Sequence, residues 1–517
     1  MTTSDTASPP GGTRLLPAST NQARGLAAYA LDFLGREPRP IGRATLDLLE
    51  RFHLDSVGCG VSALAARANA PAVLRGEALR TSPAAGTSGA CCFGSRRRCL
   101  AERAVAANAS AVREWDSNGT NFGHDAARGR TAGEFGHNDY YPAALAAATE
   151  AGLSGDQTLR VMLLIDEIRG RLAEVFPLRK YAIDHVHHGT VACAAAFTAA
   201  LGGSEDQIES AIGMAVAHYV PFRAIRAGHQ LSDSKGASAA LAAEAAVLCG
   251  RRALAGFVGP QDVFRNPLAI YRLNQPTADG KSPFDLELGL GGDAFAIHAM
   301  HFKLGLYEHQ SAGALQSLVD LFARHPALAA DLVGIRQIRV VIYEPAYSII
   351  ADPAKRTPTT RQSADHSLPY ILARTLLKAG TAAGGGPPGW EPLMLLPEDY
   401  SDSAIRDPAA ARLIERIVIE HGGGAYDSLY PDGIPTRVVI EHESLGSLDG
   451  GLVRHPLGHA RSDAARTAAI VDLKFDRLVA GAVADPAALR AQVRLAGKRP
   501  SEVAELYAFP IHGCDPG

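Results

Sequence analysis

The stretch YAIDHVHHGTVACAAAFTAALGG, residues 181–203, decides how this chain reads. It carries Asp184, His185, His187 and His188 out of an irregular segment into a helix built almost wholly of small residues. A helix that is apolar all round belongs inside a core, and small side chains let it approach its neighbours closely. Its start presents imidazoles where free backbone N–H groups and the helix dipole favour anions. A second stretch, GEFGHNDYYPAALAAATEAG (residues 133–152), repeats the design, with His137 ahead of another small-residue helix. Two rigid helices, each introduced by a histidine, point to a site for an acidic small molecule.

Working outward, SGDQ at 154–157 and SEDQ at 204–207 are capping boxes, each opening an amphipathic helix after a small-residue one. SAALAAEAAVLCG, within 235–250, supplies a third small-residue helix. Helix follows helix from about residue 21 to 273, and the texture changes near 301. IRQIRVVI (335–342), RIVIE (416–420) and TRVVIEH (436–442) read as strands, with Asp432-Gly433 and Asp449-Gly450 as turns. Between and after them, residues 366–378, 462–478 and 486–493 read as helices, and TAAGGGPPG (381–389) as a flexible loop. The order predicts a mainly α fold with an α+β lid. A large all-helical domain takes residues 21–300 and 462–517. A smaller α/β domain, 301–461, is inserted before the C-terminal helices, and residues 1–20 form a disordered lead-in.

The chain of 517 residues is 47% hydrophobic and 20% charged, enough to bury a large core, and its net charge of -3 argues against a nucleic-acid partner. Seven cysteines without a CxxC pair read as reduced thiols rather than a disulfide framework, a zinc site or an iron–sulfur cluster. No apolar run reaches the roughly 18 residues of a membrane span, and the first residues lack the apolar core of a signal peptide. These features predict a soluble, cytoplasmic protein. GxxxxGK[ST], a strand-to-helix GxGxxG, HExxH and GxSxG are all missing from the sequence. Adjacent His187 and His188 point in different directions from a helix, so no metal is expected there.

His137 and His185 are the acid–base candidates, each beside a carboxylate, Asp139 and Asp184. Read alone, each is also a capping or core histidine. Asp116 and Thr120 lie in REWDSNGTNFG (113–123), where Asp116 by itself reads as a cap or turn residue. Arg223, Arg226 and Lys235, in PFRAIRAGHQLSDSKG (221–236), form a cationic loop. Arginine forks grip carboxylates, and a lysine at a helix start needs a compensating anion. Lys303, in the apolar MHFKLGL, has to snorkel or find a partner.

Taken together these segments resemble the MmgE/PrpD family, and within it the 2-methylcitrate dehydratase branch. Asp184-His185-Val186 is similar to that branch's Asp-His-Val segment, and Arg223-x-x-Arg226 with Lys235 to its R-x-x-R…K loop. Phe302-Lys303 with His309-Gln310-Ser311, Asp365-His366-x-x-x-Tyr370 and Pro456-Leu-Gly-His-Ala-Arg461 are similar to further family segments, in order. The resemblance implies a cofactor-free lyase, a homodimer with its site between the helical domain and the lid. It implies a di- or tricarboxylate substrate such as 2-methylcitrate, dehydrated in the course of propionate catabolism. By position it implies Asp116, Thr120, His137, His185, Lys235 and Lys303 as active-site residues, and Tyr347 as a lid tyrosine. The cations would hold substrate carboxylates, and one histidine would take the proton next to a carboxylate. The other histidine, or Asp116 with Thr120, would assist the leaving hydroxide. Decarboxylation of a cis-aconitate-type substrate, epimerisation of an amino-dicarboxylate and carboxylate binding without catalysis are the alternative readings. The sequence departs from the branch in three places. Asp116-Ser-Asn118-Gly-Thr120-Asn stands for Asp-Phe-Asn-Asp-Thr-Trp, GHDAARGRTA (123–132) is inserted, and Asn138 follows His137 in place of proline.

Overall fold

The structure, a computed structural model, describes residues 12–83, 85–226, 231–383 and 387–516. It is mainly helical with small sheets. The small-residue helices form Tyr141–Ala151, Val186–Ala200 and Asp233–Leu254, and all three are buried over most of their length. Val186–Ala200 packs between Gly155–Val175, Glu205–His218 and Asp233–Leu254, and Ala101–Arg113 packs along Asp233–Leu254. Gly189 shows why small residues are needed: a Cβ there would lie 2.0 Å from the Tyr140 ring. Both capping boxes form, Ser154 with Gln157 and Ser204 with Gln207.

Strands Ile335–Ile342, Ile417–His421 and Thr436–His442 fall where β-branched runs predict them. They make a four-stranded sheet with Gly446–Val453, in the order 417–421, 335–342, 436–442, 446–453; the first pair is parallel and the rest antiparallel. That fourth strand corrects the sequence reading. Asp449-Gly450 lies inside it, and the turn comes earlier, at residues 443–445. Asp449 instead accepts from Arg437 across the strand pair, with Nε at 3.0 Å.

Two further expectations shift. Thr13–Leu16 is a strand paired with Leu286–Gly289, so the lead-in is ordered by residue 13. The helix from Leu368 continues to Ala382, into the segment read as a flexible loop; residues 384–386 of that segment lie outside the described residues. Near the C-terminus Ala464–Val479 packs against Arg43–Ala65, and the fully buried pair Lys474–Asp55 joins them at 2.8 Å. The same ammonium donates to the carbonyls of Ser117 (2.6 Å) and Lys303 (2.9 Å), fixing two loops that meet at the site. All seven cysteines are free thiols. Among the described residues no single helix is long and apolar enough to cross a membrane.

Candidate functional site

Short backbone pairings bring distant segments together. Thr120–Asn121 pairs with Gly136–His137, so Thr120 stands opposite His137. Thr120 also exchanges both backbone hydrogen bonds with His301, at 3.1 and 2.7 Å, which brings Lys303 back to the Asp116 loop. Ile183 pairs with Phe222, and this sets the His185 segment against the loop of Arg223 and Arg226. These segments surround a cavity of about 590 Å³ lined by Asp116, Thr120, His137, His185, Arg223, Arg226 and Lys235. Lys303 lies buried behind its wall, and Tyr347 is outside it, 40% exposed and set against the His421 ring at 5.7 Å. Its neighbours Ser348 and Ile349 line the cavity in its place.

At the floor Asp116 adopts a left-handed backbone conformation, φ +50°, rare for a residue with a side chain. Its carboxylate is locked in place by Lys303 Nζ (3.0 Å), His366 Nε2 (3.1 Å), Lys235 Nζ (3.6 Å) and Arg113. Burial works to raise its pKa, but Arg113, Lys235 and Lys303 outweigh burial and hold the carboxyl well below the usual range. Asp116 therefore carries no proton to give to a leaving group. Lys235 also meets Asp365 at 3.3 Å, and Asp365 is gripped by Arg361 (2.8 Å) and His366 Nδ1 (2.6 Å). The anion that the sequence requires for Lys235 and Lys303 is thus internal, and both ammoniums are already compensated. Asp116, Asp365 and His366 place ligand-type atoms within 4.8 Å of one another. Two lysines and two arginines already neutralise them, a donor set that disfavours a cation.

His137 and His185 sit with ring centroids 5.0 Å apart, both nearly fully buried. His185 Nδ1 faces Asp184 Oδ1 at 3.6 Å, while its Nε2 and the Nδ1 of His137 have no hydrogen-bond partner. Burial pushes both imidazoles well below their ordinary pKa; Arg113 and Lys303 add to this at His137, and Asp184 opposes it at His185. Both rings are neutral at physiological pH, each with a lone pair to offer. Asp184 caps the helix start, accepting from Val186 N–H at 3.3 Å, and is held by Arg226 through Nε (2.5 Å) and Nη2 (3.2 Å). The anion at this helix entrance is the chain's own aspartate. His187 and His188 point elsewhere, to the carbonyls of Tyr219 (3.3 Å) and Phe176 (3.1 Å), and join neighbouring elements.

The cavity also contains residues that sequence reasoning left out of the site. Glu308, His309 and Gln310 form one wall; Arg113, Arg179, Asp352, Lys355 and His366 complete the charged lining. Burial raises Glu308 to about 7 against the pull of Lys303, so it is the lining carboxyl that holds a proton near neutrality. Both ring nitrogens of His309 and both amide atoms of Gln310 lack partners. Arg113 had a legible signal, since it lies three residues before Asp116 at a helix end. His366 stands in the Asp-His segment already quoted, whereas nothing local marks Glu308 or Lys355.

The chain matches known families along most of its length. The MmgE/PrpD N-terminal domain matches residues 26–279 and the MmgE/PrpD C-terminal domain residues 308–496. Similar curated proteins are the 2-methylcitrate dehydratases of Salmonella typhimurium, 24% identical over 322 residues, and of Escherichia coli strain K12, 23% identical over 320 residues. Each alignment covers 61% of this chain and 62% of the relative's length.

Proposed function

The chain belongs to the MmgE/PrpD family, and from that premise we propose that it is a lyase that removes water from a hydroxy-di- or tricarboxylate of the 2-methylcitrate type. The observation that carries the reading is the pair of neutral, unpartnered imidazoles, His137 and His185, in a cavity lined by cations. His185 is the base. Asp184 opposite Nδ1 favours the tautomer that leaves the Nε2 lone pair toward the cavity. It takes the proton from the carbon next to a substrate carboxylate, and charge builds on that carboxylate as an enolate-like species. Nearby cations stabilise this charge, the largest difficulty of the step. Glu308 gives its proton to the departing hydroxyl, which leaves as water, and the base's proton returns to Glu308 through solvent. Asp116 is a positioning residue that holds Lys235, Lys303 and His366 in place.

The test is to mix the purified protein with a panel of hydroxy acids, including 2-methylcitrate and citrate, and follow the ultraviolet absorbance of the new conjugated double bond. His185→Ala should lose about 10²–10⁴-fold in kcat while keeping the wild-type melting profile. An absorbance silent across the panel, or carbon dioxide release from cis-aconitate without any dehydration, would overturn the proposal.

A further inference from the structure

Six cationic side chains line the cavity, and three are committed to the chain's own carboxylates: Arg113 to Asp116, Lys235 to Asp116 and Asp365, and Arg226 to Asp184. Arg179, Arg223 and Lys355 are not. Among the described residues none of these three makes an ion pair. Arg179 and Arg223 stand on two short turns, Leu178–Tyr181 and Arg223–Arg226. Backbone bonds zip the two segments together: Arg223 N–H donates to Ala182 O and Asp184 N–H to Pro221 O, each at 2.8 Å. These bonds fix the two segments against each other, and the Arg179 guanidinium lies over the Phe135 ring at 5.8 Å.

Burial lowers the pKa of Arg223, with Arg226 and Arg179 adding to it against Asp184 and Glu134, and burial also lowers Lys355 against the pull of Asp365 and Asp352. Glu134 accepts the N–H groups of Arg179 (2.6 Å) and Phe135 (3.1 Å). Burial raises it to about 7, so it supplies only part of a charge near neutrality. Partly desolvated cations lining one cavity, none of them closed into an ion pair, favour an incoming anion. Lys355 comes from the turn Pro353–Arg356, beyond the first strand of the sheet, so the three cations approach from both halves of the chain.

We propose that Arg179, Arg223 and Lys355 form a carboxylate subsite in the cavity of the imidazole pair, and that it selects a substrate with a third carboxylate over a dicarboxylate. The catalytic readout rests on the dehydratase reading; the binding readout does not. Arg179→Gln and Lys355→Gln, checked for unchanged melting, should each lower kcat/KM on the tricarboxylate by about 10- to 100-fold. The loss should appear in KM and leave the dicarboxylate malate within about twofold. If the wild type turns over no hydroxy acid, the dehydratase reading fails while calorimetry still tests the subsite. Wild type should then bind citrate at least about tenfold more tightly than malate, and either variant should erase that preference. Equal losses on tri- and dicarboxylate, no loss on either, or wild-type binding of citrate no tighter than of malate would overturn the proposal.

Discussion

Asp116→Asn removes one buried charge and leaves three facing it. Arg113, Lys235 and Lys303 are all at most 2% exposed, and each has Asp116 as a partner. Breaking a buried pair by deleting one member costs about 3–5 kcal/mol, because the survivors stay desolvated. A limit comes from the lysines, which can shed a proton. Discharging one at pH 7 from an ordinary pKa of about 10.4 costs about 4.6 kcal/mol, at about 1.36 kcal/mol per unit. Lys303 is the candidate, being fully buried with no other carboxylate within bonding distance among the described residues. The expected loss is therefore about 3–5 kcal/mol at pH 7. It should also vary with pH. In the variant the folded lysine is neutral and the unfolded one charged, so the unfolded state binds more protons and stability rises with pH. Between pH 7 and 9 the gap to wild type should close by up to about 2.7 kcal/mol. Denaturant unfolding of both proteins at the two pH values measures this. A variant as stable as wild type, or a gap of constant size, would refute the view of Asp116 as counter-ion to the buried cations.

Glu308 holds its proton below about 7 and loses it above, so kcat/KM should fall on the alkaline side of that value. Glu308→Gln should remove the limb along with most of the activity, and an identical limb in the variant would assign it elsewhere. His53 is fully buried without a hydrogen-bond partner, and burial pushes it down to about 3. Its folded pKa lies below the unfolded one, so its contribution is complete above about 6.5 and shrinks as pH falls. Unfolding curves of His53→Leu and wild type at pH 7 and 5 should move about 2 kcal/mol in the variant's favour on acidification. Gly189→Ala would drive a methyl into the Tyr140 ring. Overpacking at about 1–3 kcal/mol exceeds the gain in helix propensity of about 1 kcal/mol, so the melting temperature should drop.

Local signals carried the fold well. Ser154-x-x-Gln157 and Ser204-x-x-Gln207 announce helix starts through bonds that close within four residues, and IRQIRVVI announces its strand by composition. Gly446–Val453 escaped because three glycines and an Asp-Gly pair look like a turn; only pairing with residues 436–442 makes it a strand. Tyr347 fails in a similar way. The resemblance implies it as a lid tyrosine, but whether its ring or a neighbour's side chain enters the cavity depends on how the Ala346–Ile350 turn is rotated.

The site shows the same divide in sharper form. Sequence identifies His137, His185 and Asp116 as titratable groups at helix entrances and in a turn, gives Lys235 a missing anion, and requires Lys303 to snorkel or find a partner. It cannot say whether that partner is a ligand or another side chain. Asp116 and Lys303 are 187 residues apart, Lys235 and Asp365 are 130 apart, and both pairs close only in three dimensions. Once they close, the charge that seemed to await a substrate is spent inside the protein. The excess moves to Arg179, Arg223 and Lys355, two of which no local pattern singles out. A cation in a sequence is evidence for anion binding only after the chain's own carboxylates have been subtracted. In this cavity the subtraction changes which residues are left to meet a substrate.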